Sequence, residues 1–277
     1  MSTLTATPTV TPVPTTPAPR AGLTRLARDT AIVMVRELRP VMRDPFSVVF
    51  GLVQPLVFLA LFGPLLVGSL GGADVLGGNV WQWFLPAILV MTTLFGTAVT
   101  GSNLLFEFQT GAHERMLVTP LSRPSLLIGR SLKELVPLTG QAVLLIAVML
   151  PFGFQLHLLG ALAGLALLAC LGVGLGALSY ALATAVRKQE WMFWLVHQTV
   201  LFPLMILSGM LLPLETGPGW MQAAAKANPL SYVVDAERAL FAGDLTSQAV
   251  LGGWTAALAT AVLGLVVGVR VMNRSAG

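Results

Sequence analysis

The stretch EFQTGAHERMLVTPLSRPSLLIGRSLK, residues 107–133, decides how the chain is read. It holds Glu107, His113, Glu114, Arg115, Arg123, Arg130 and Lys133, and it separates two long apolar runs. A hydrocarbon layer rejects so polar and basic a segment, which therefore belongs in water or at the headgroup surface. Residues 111–118 suit two turns of helix. Pro120 biases Thr119 away from the helical region and ends those turns, and Pro124 opens the next helix. The reading is a short helix held at a membrane surface, within reach of a soluble partner.

Composition agrees with a membrane setting. Of 277 residues, 55% are hydrophobic and only 10% charged, and mean hydropathy is +0.81. Soluble domains carry about a quarter charged residues, so the chain reads as an all-α polytopic membrane protein embedded in the lipid bilayer. Its single cysteine, Cys170, excludes an intramolecular disulfide. A pI near 9.8 points in this setting to arginine on the cytoplasmic side of a bilayer, and no nucleic-acid partner is expected.

Working outward, residues 1–21 have prolines at 8, 12, 14, 17 and 19 among many threonines, the composition of a disordered tail. Residues 22–43 form an amphipathic helix. Arg25, Arg28, Asp29, Arg36, Arg39 and Arg43 fall within an arc of about 100°, with Leu23, Ala27, Met34, Leu38 and Val41 opposite. Such a helix lies in the lipid interface, its arginines reaching up to phosphates. Glu37 breaks the pattern, and Pro40 kinks or ends the helix. Residues 44–277 form the transmembrane domain. Six apolar runs are expected to cross, at 45–68, 81–106, 126–150, 158–186, 191–212 and 248–269.

Fourteen of the sixteen lysines and arginines fall in the N-terminal segment, the 107–133 stretch, Arg187–Lys188 and the C-terminus; Lys226 and Arg238 face the other way. Both termini are therefore expected in the cytoplasm. The outer segment 213–247 predicts two short helices, at 220–227 and 229–241. Asn228 caps the second and Pro229 takes its first position. Neither is long enough to span, and their apolar content predicts that they dip back into the outer leaflet, buried against protein.

Several chemistries are excluded. A phosphate-binding loop needs Gly directly before Lys, but Lys133, Lys188 and Lys226 follow Leu132, Arg187 and Ala225. His113-Glu114 opens like a zinc-protease motif, yet position 117 is leucine. No metal cluster and no nucleophile–base set is present, so the chain is not read as an enzyme. Gly172-Val173-Gly174-Leu175-Gly176 sits in an apolar helix and reads as close helix packing. No Asp, Glu, Lys or Arg lies near the middle of a run, which counts against a proton relay. Thr93, Gly96, Thr97 and Thr100 make one small polar stripe, either a lining for a translocation path or tight helix packing. His197 and Gln198 allow the same two readings, path or interhelical hydrogen bond. Asp235 and Arg238, spaced i, i+3, make a gate pair or a surface pair.

Two segments resemble the permeases of type-2 ATP-binding-cassette (ABC) exporters. The first runs from Glu107 through Gly111 and Glu114-Arg115-Met116-Leu117-Val118-Thr119-Pro120-Leu121-Ser122-Arg123. The second comprises Leu207-Ser208-Gly209-Met210-Leu211-Leu212-Pro213, Pro218-Gly219-Trp220 and Asn228-Pro229-Leu230-Ser231-Tyr232-Val233-Val234-Asp235-Ala236-Glu237-Arg238. The whole is most similar to the branch named for daunorubicin and doxorubicin resistance. The resemblance implies a bacterial plasma-membrane exporter of hydrophobic drugs or lipid-like molecules. Two permease subunits, expected as identical copies, would sit on two copies of a soluble ATPase. That partner would bind ATP and magnesium, with no cofactor on this chain. The resemblance makes Glu107, Gly111, His113, Glu114, Arg115, Met116, Leu117 and Pro120 the coupling helix that contacts the ATPase. It makes Pro213, Trp220, Asn228, Pro229, Tyr232, Asp235 and Arg238 an external gate. The alternatives are a self-sufficient secondary transporter, or a permease exporting a polysaccharide or lipid-linked glycan.

The basic bias carries the first prediction. In a Cys170→Ala background, an impermeant thiol reagent outside intact cells should label Gly217→Cys and leave Ser2→Cys untouched; the reverse pattern would overturn the topology.

Overall fold

The structure is a computed structural model that describes residues 23–43, 45–69, 79–111 and 123–274. The Pro/Thr-rich tail lies outside the described residues, as do 112–122 with His113, Glu114, Arg115, Met116, Leu117 and Pro120. Among the described residues all regular elements are helical. In chain order the α-helices are α1 (Leu23–Arg43), α2 (Pro45–Phe50), α3 (Val53–Ser69), α4 (Val80–Gln109), α5 (Arg123–Lys133), α6 (Leu135–Met149), α7 (Leu158–Ala185), α8 (Glu190–Ile206), α9 (Gly219–Ala227), α10 (Pro229–Phe241) and α11 (Gln248–Arg274).

The central element is α4. Its 30 residues run about 45 Å at 1.5 Å each, and it is buried along most of that length. Asn79 caps it, its side chain accepting from the Trp81 amide at 3.0 Å. At the other end Gly111 stands at φ +66°. This left-handed position, which glycine takes without strain, turns the chain out of α4. Gly111 therefore closes the second apolar helix, where the sequence had it opening the next short one.

Among the described residues four stretches are long and apolar enough to cross a membrane: Val80–Gln109, Ser125–Phe152, Leu158–Ala185 and Gln248–Met272. The expected first and fifth crossings are shorter, α3 and α8 having 17 residues each. Proline explains the first break. Pro55 has no N–H to offer the Gly51 carbonyl, and the 45–68 run divides at Gly51–Leu52. Likewise Pro137 cannot serve the Lys133 carbonyl, and the helix steps at Glu134 between α5 and α6. The fifth run ends early because the chain turns after Ile206 and passes Gly209 at φ +71°.

The longest packing seam joins α7 to α11. A Cβ on Gly174 would lie 2.7 Å from the Ala261 backbone, and one on Gly264 would strike the Gly174 carbonyl. The two backbones meet here with nothing between them, as the glycine run predicted.

Helix α1 has three faces. Arg28, Arg36 and Arg39 are exposed on one, and Arg25 falls in register with them. Ala27, Val35 and Met42 make an exposed apolar face. Asp29, Thr30, Val33 and Glu37 turn onto α5, where Val33 and the Thr30 carbonyl close on Gly129. Asp29, expected on the polar arc, is thus buried, because a helix beside a bundle has a protein side as well as a lipid side and a water side.

Backbone contact at Gly174 makes it intolerant of added volume. Gly174→Ala should cost about 1–3 kcal/mol by forcing the helices apart. Gly140→Ala, on α6 with open space around the added methyl, should be neutral or better. Thermal unfolding in detergent checks this, and equal losses at the two sites would refute it.

Candidate functional site

At one end of α4 lies a cluster of ionisable groups contributed by α4 itself and by three other segments. Glu37 comes from α1, Glu107 from the last turn of α4, Arg130 and Lys133 from α5, Glu134 from the step after it, and Tyr180 from α7. Arg130 is only 3% exposed. Its Nη2 lies 2.5 Å from Glu107 Oε2 and 3.6 Å from Glu37 Oε1, and its Nη1 donates to the Tyr180 hydroxyl. The guanidinium also lies 5.4 Å from the centre of the Tyr180 ring. Lys133 Nζ reaches Glu37 at 3.5 Å and Glu134 at 3.7 Å.

Three carboxylates thus surround two cations. Moving a lone charge out of water costs several kcal/mol, so the arrangement holds only while the partners are together. Its effect is to bind α1, α4, α5 and α7 at the point where the 112–122 segment leaves and re-enters. Gln109 adds a link, donating to Glu190 of α8 at 2.8 Å.

The other end of α4 carries the helical hairpin α9–α10. Trp83 and Glu107 are 24 positions apart in one helix, so the two sites stand about 36 Å apart along its axis. Arg238 of α10 stacks 3.8 Å from the centre of the Trp83 ring. Its Nε donates to the Trp83 carbonyl at 3.2 Å, its Nη2 to the Gly209 carbonyl at 2.9 Å, and Nη1 lies 3.6 Å from Asp235. Asn228 caps α10, accepting from the Leu230 amide at 3.0 Å, and donates to the Leu204 carbonyl at 2.7 Å. Ser231 donates to the Leu207 carbonyl at 3.1 Å. Both carbonyls belong to the end of α8, where a helix leaves its last acceptors unmet.

A cavity of about 430 Å³ opens beneath the hairpin, lined by Trp83, Pro213, Glu215, Tyr232, Asp235 and Arg238 among others. The Tyr232 hydroxyl donates to the Lys226 carbonyl at 2.8 Å, closing α9 onto α10. Glu237, on the opposite face of α10, is fully buried with neither carboxyl oxygen hydrogen-bonded. Burial pushes its carboxyl up to about 8.

Comparison with known proteins now decides the family. The ABC-2 type transporter profile matches residues 28–242. The chain belongs to the ABC-2 type transporter family. It is 27% identical over 201 residues to the daunorubicin resistance ABC transporter permease protein DrrB1 of Streptomyces coeruleorubidus, covering 72% of this chain and 70% of that one. It is 30% identical to a putative transport permease, ycf38, of Cyanophora paradoxa, covering 72% and 69%. It is 27% identical to a probable doxorubicin resistance ABC transporter permease, DrrC, of Mycobacterium tuberculosis H37Rv, covering 78% of each.

Within this ABC-2 permease the residues singled out from sequence fall in different settings. Pro213, Tyr232, Asp235 and Arg238 line one cavity, Asn228 and Pro229 open the helix behind it, and Trp220 stands exposed on α9. Glu107 belongs to the buried ion cluster. Thr93, Thr97 and Thr100 are buried. Thr93 and Thr97 donate to their own helix at Leu89 and Leu94, and a Cβ on Gly172 of α7 would rest 3.5 Å from Thr93. A void of about 10 Å³ lies beside Thr93, enough for about one water. His197 stacks at 5.7 Å on Phe193, edge-on to Trp194, and Gln198 next to it is exposed.

Sequence reasoning counted Arg130 and Lys133 among solvated loop charges; the structure buries both, because helix α5 carries them inward to Glu37 and Glu107. Glu237 also escaped notice. Its signal was present, since Leu230, Val233, Val234, Glu237, Leu240 and Phe241 share one face of α10, and five of those six are apolar.

The ion cluster predicts an asymmetry. Arg130→Met, which strands Glu107, should cost about 3–5 kcal/mol. Adding Glu107→Leu should recover part of that loss. Reversible unfolding in mixed SDS micelles measures both; strictly additive losses would show that the pair does not interact.

Proposed function

We propose that this chain is the membrane subunit of an ABC exporter that moves hydrophobic, drug-like or lipid-like molecules out of a bacterial cell. The observation that carries the reading is the family match over residues 28–242, together with relatives named for daunorubicin and doxorubicin resistance. The energy comes from a separate soluble ATPase, because no lysine of this chain stands in a phosphate-binding loop. ATP and magnesium belong on that partner, two copies of which serve a pair of identical permeases. Six crossings are part of the proposal. Four are the long helices, and α3 and α8 supply the others at the lower end of the usual length range. Both termini lie in the cytoplasm, following the arginine bias.

The mechanism follows from α4. The ATPase engages residues 112–122 through Glu114 and Arg115. Force on that segment reaches α1, α4, α5 and α7 together, because the Arg130 cluster makes them one body there. The same α4 meets Arg238 through Trp83 about 36 Å away, so a tilt at the inner end shifts the support of the hairpin. The α9–α10 hairpin is the external gate, and the cavity beneath it is the outlet. Helix α8 offers Trp191, Leu195, Phe202 and Ile206 as an exposed apolar face, which lipid and the second permease share.

A charge buried at an interface costs about 2–5 kcal/mol to break. Glu114→Ala with Arg115→Ala should therefore weaken co-purification of the ATPase or uncouple its hydrolysis from export, with normal membrane expression. Normal expression, normal ATPase binding and wild-type export together would remove those two charges from the contact.

A further inference from the structure

Glu237 is the one acidic residue on the apolar face of α10, and its surroundings are one-sided. The carboxyl sits against bare backbone of α7: a Cβ on Gly164 would lie 2.6 Å from Glu237 Oε2. One turn on, the Leu240 carbonyl meets Gly160 with no side chain between. On the α11 side, the Ala236 methyl occupies the space of a Cβ on Gly253. Helix α10 is thus seated closely on α7 and α11, and its acid is carried into that seat.

Among the described residues nothing ionisable faces Glu237 there. Helix α4 has no titratable residue between Val80 and Phe106, and α11 has none before Arg270. Helix α7 has only Cys170 and, at its far end, Tyr180. His157, ahead of α7, is bonded to the Phe241 carbonyl. On α10 itself Asp235 and Arg238 turn into the cavity, as does Lys226 of α9. An unpaired carboxylate in such a place is too costly to persist, and a buried polar group without a partner calls for a reason.

We infer that Glu237 is a proton-binding site that latches the α9–α10 hairpin: the carboxyl holds a proton while α10 is seated on α7 and releases it to water when α10 lifts. The step is the ionisation of one carboxylic acid to a carboxylate and a proton. It rests on the reading of the hairpin as the gate over the outlet. Its sign follows from linkage. The seated state holds the raised value, about 8, and the lifted state the ordinary one near 4.3. Between those limits the seated form binds more protons, so acid stabilises the closed hairpin and rising pH releases it. External acidity should therefore hold the outlet shut, and each opening at neutral pH delivers a proton outside.

The test has two arms on the full chain. Infrared difference spectra of purified wild-type protein minus Glu237→Gln should show a protonated-carboxyl stretch at pH 6 that disappears above about pH 8. Its absence at pH 6 overturns the proposal whatever the hairpin does. In intact cells, Val234→Cys in a Cys170→Ala background reports lifting of α10, Val234 being fully buried when seated. Its labelling rate by an impermeant maleimide is divided at each pH by the rate in the Glu237→Gln background, which cancels thiol ionisation. The ratio should rise by up to about tenfold per pH unit from about pH 5.5 and level off near 8. A ratio flat within about twofold overturns the latch even if the carboxyl is protonated, and leaves the transport reading intact. Glu237→Leu replaces the glutamine variant if the amide impairs insertion.

Discussion

A guanidinium removed from water needs its charge met, and Arg130 meets that demand through Nη1 and Nη2 by drawing on three other helices. Remove the interior from consideration and the four segments have little reason to converge at that end. Helix α1 lies outside the bundle and touches it chiefly through α5. Helices α4 and α7 bring mainly apolar side chains to that end. The requirement that Glu37, Glu107 and Tyr180 all reach one cation selects a single arrangement. This is specificity more than stability, since a well-packed apolar substitute for a buried ion pair is often no less stable.

At the hairpin the same demand is met by different means. Arg238 uses a ring face, two carbonyls and a carboxylate, each a modest contact. Cation–π stacking of a partly buried guanidinium contributes about 1–2 kcal/mol. No single loss would free it, yet all its partners except Asp235 belong to other segments, α4 and the turn after α8. The hairpin is therefore fixed by contacts that a small displacement of α4 can change together.

Much of this was legible in the sequence where local chemistry decides. Asn228-Pro229 named the start of α10 and Phe241 its end, because capping and a fixed proline φ act within a turn. The glycine run on α7 announced backbone contact, although only the fold shows α11 as the partner. Glu37 showed as a break in an amphipathic pattern, and its reason lay far downstream in Arg130 and Lys133. Charge counting placed Arg130 and Lys133 in water because it treats a basic loop as uniform; helix α5, set by Pro124 and Pro137, carries them inward. The threonine stripe was ambiguous: Thr93 and Thr97 bond carbonyls of their own helix, whereas the Thr100 hydroxyl is buried without such a bond.

The bonds from Asn228 to Leu204 and from Ser231 to Leu207 share a separation of 24 residues. That equal offset has a consequence for biogenesis. When α8 has left the ribosome, the acceptors at its tip are still without the donors that will serve them, and those donors are two dozen residues behind. A helix tip with bare carbonyls does not settle in hydrocarbon. The order of synthesis thus ties α8 to its hairpin: the carbonyls at the tip of α8 are met only when the chain has passed Ser231.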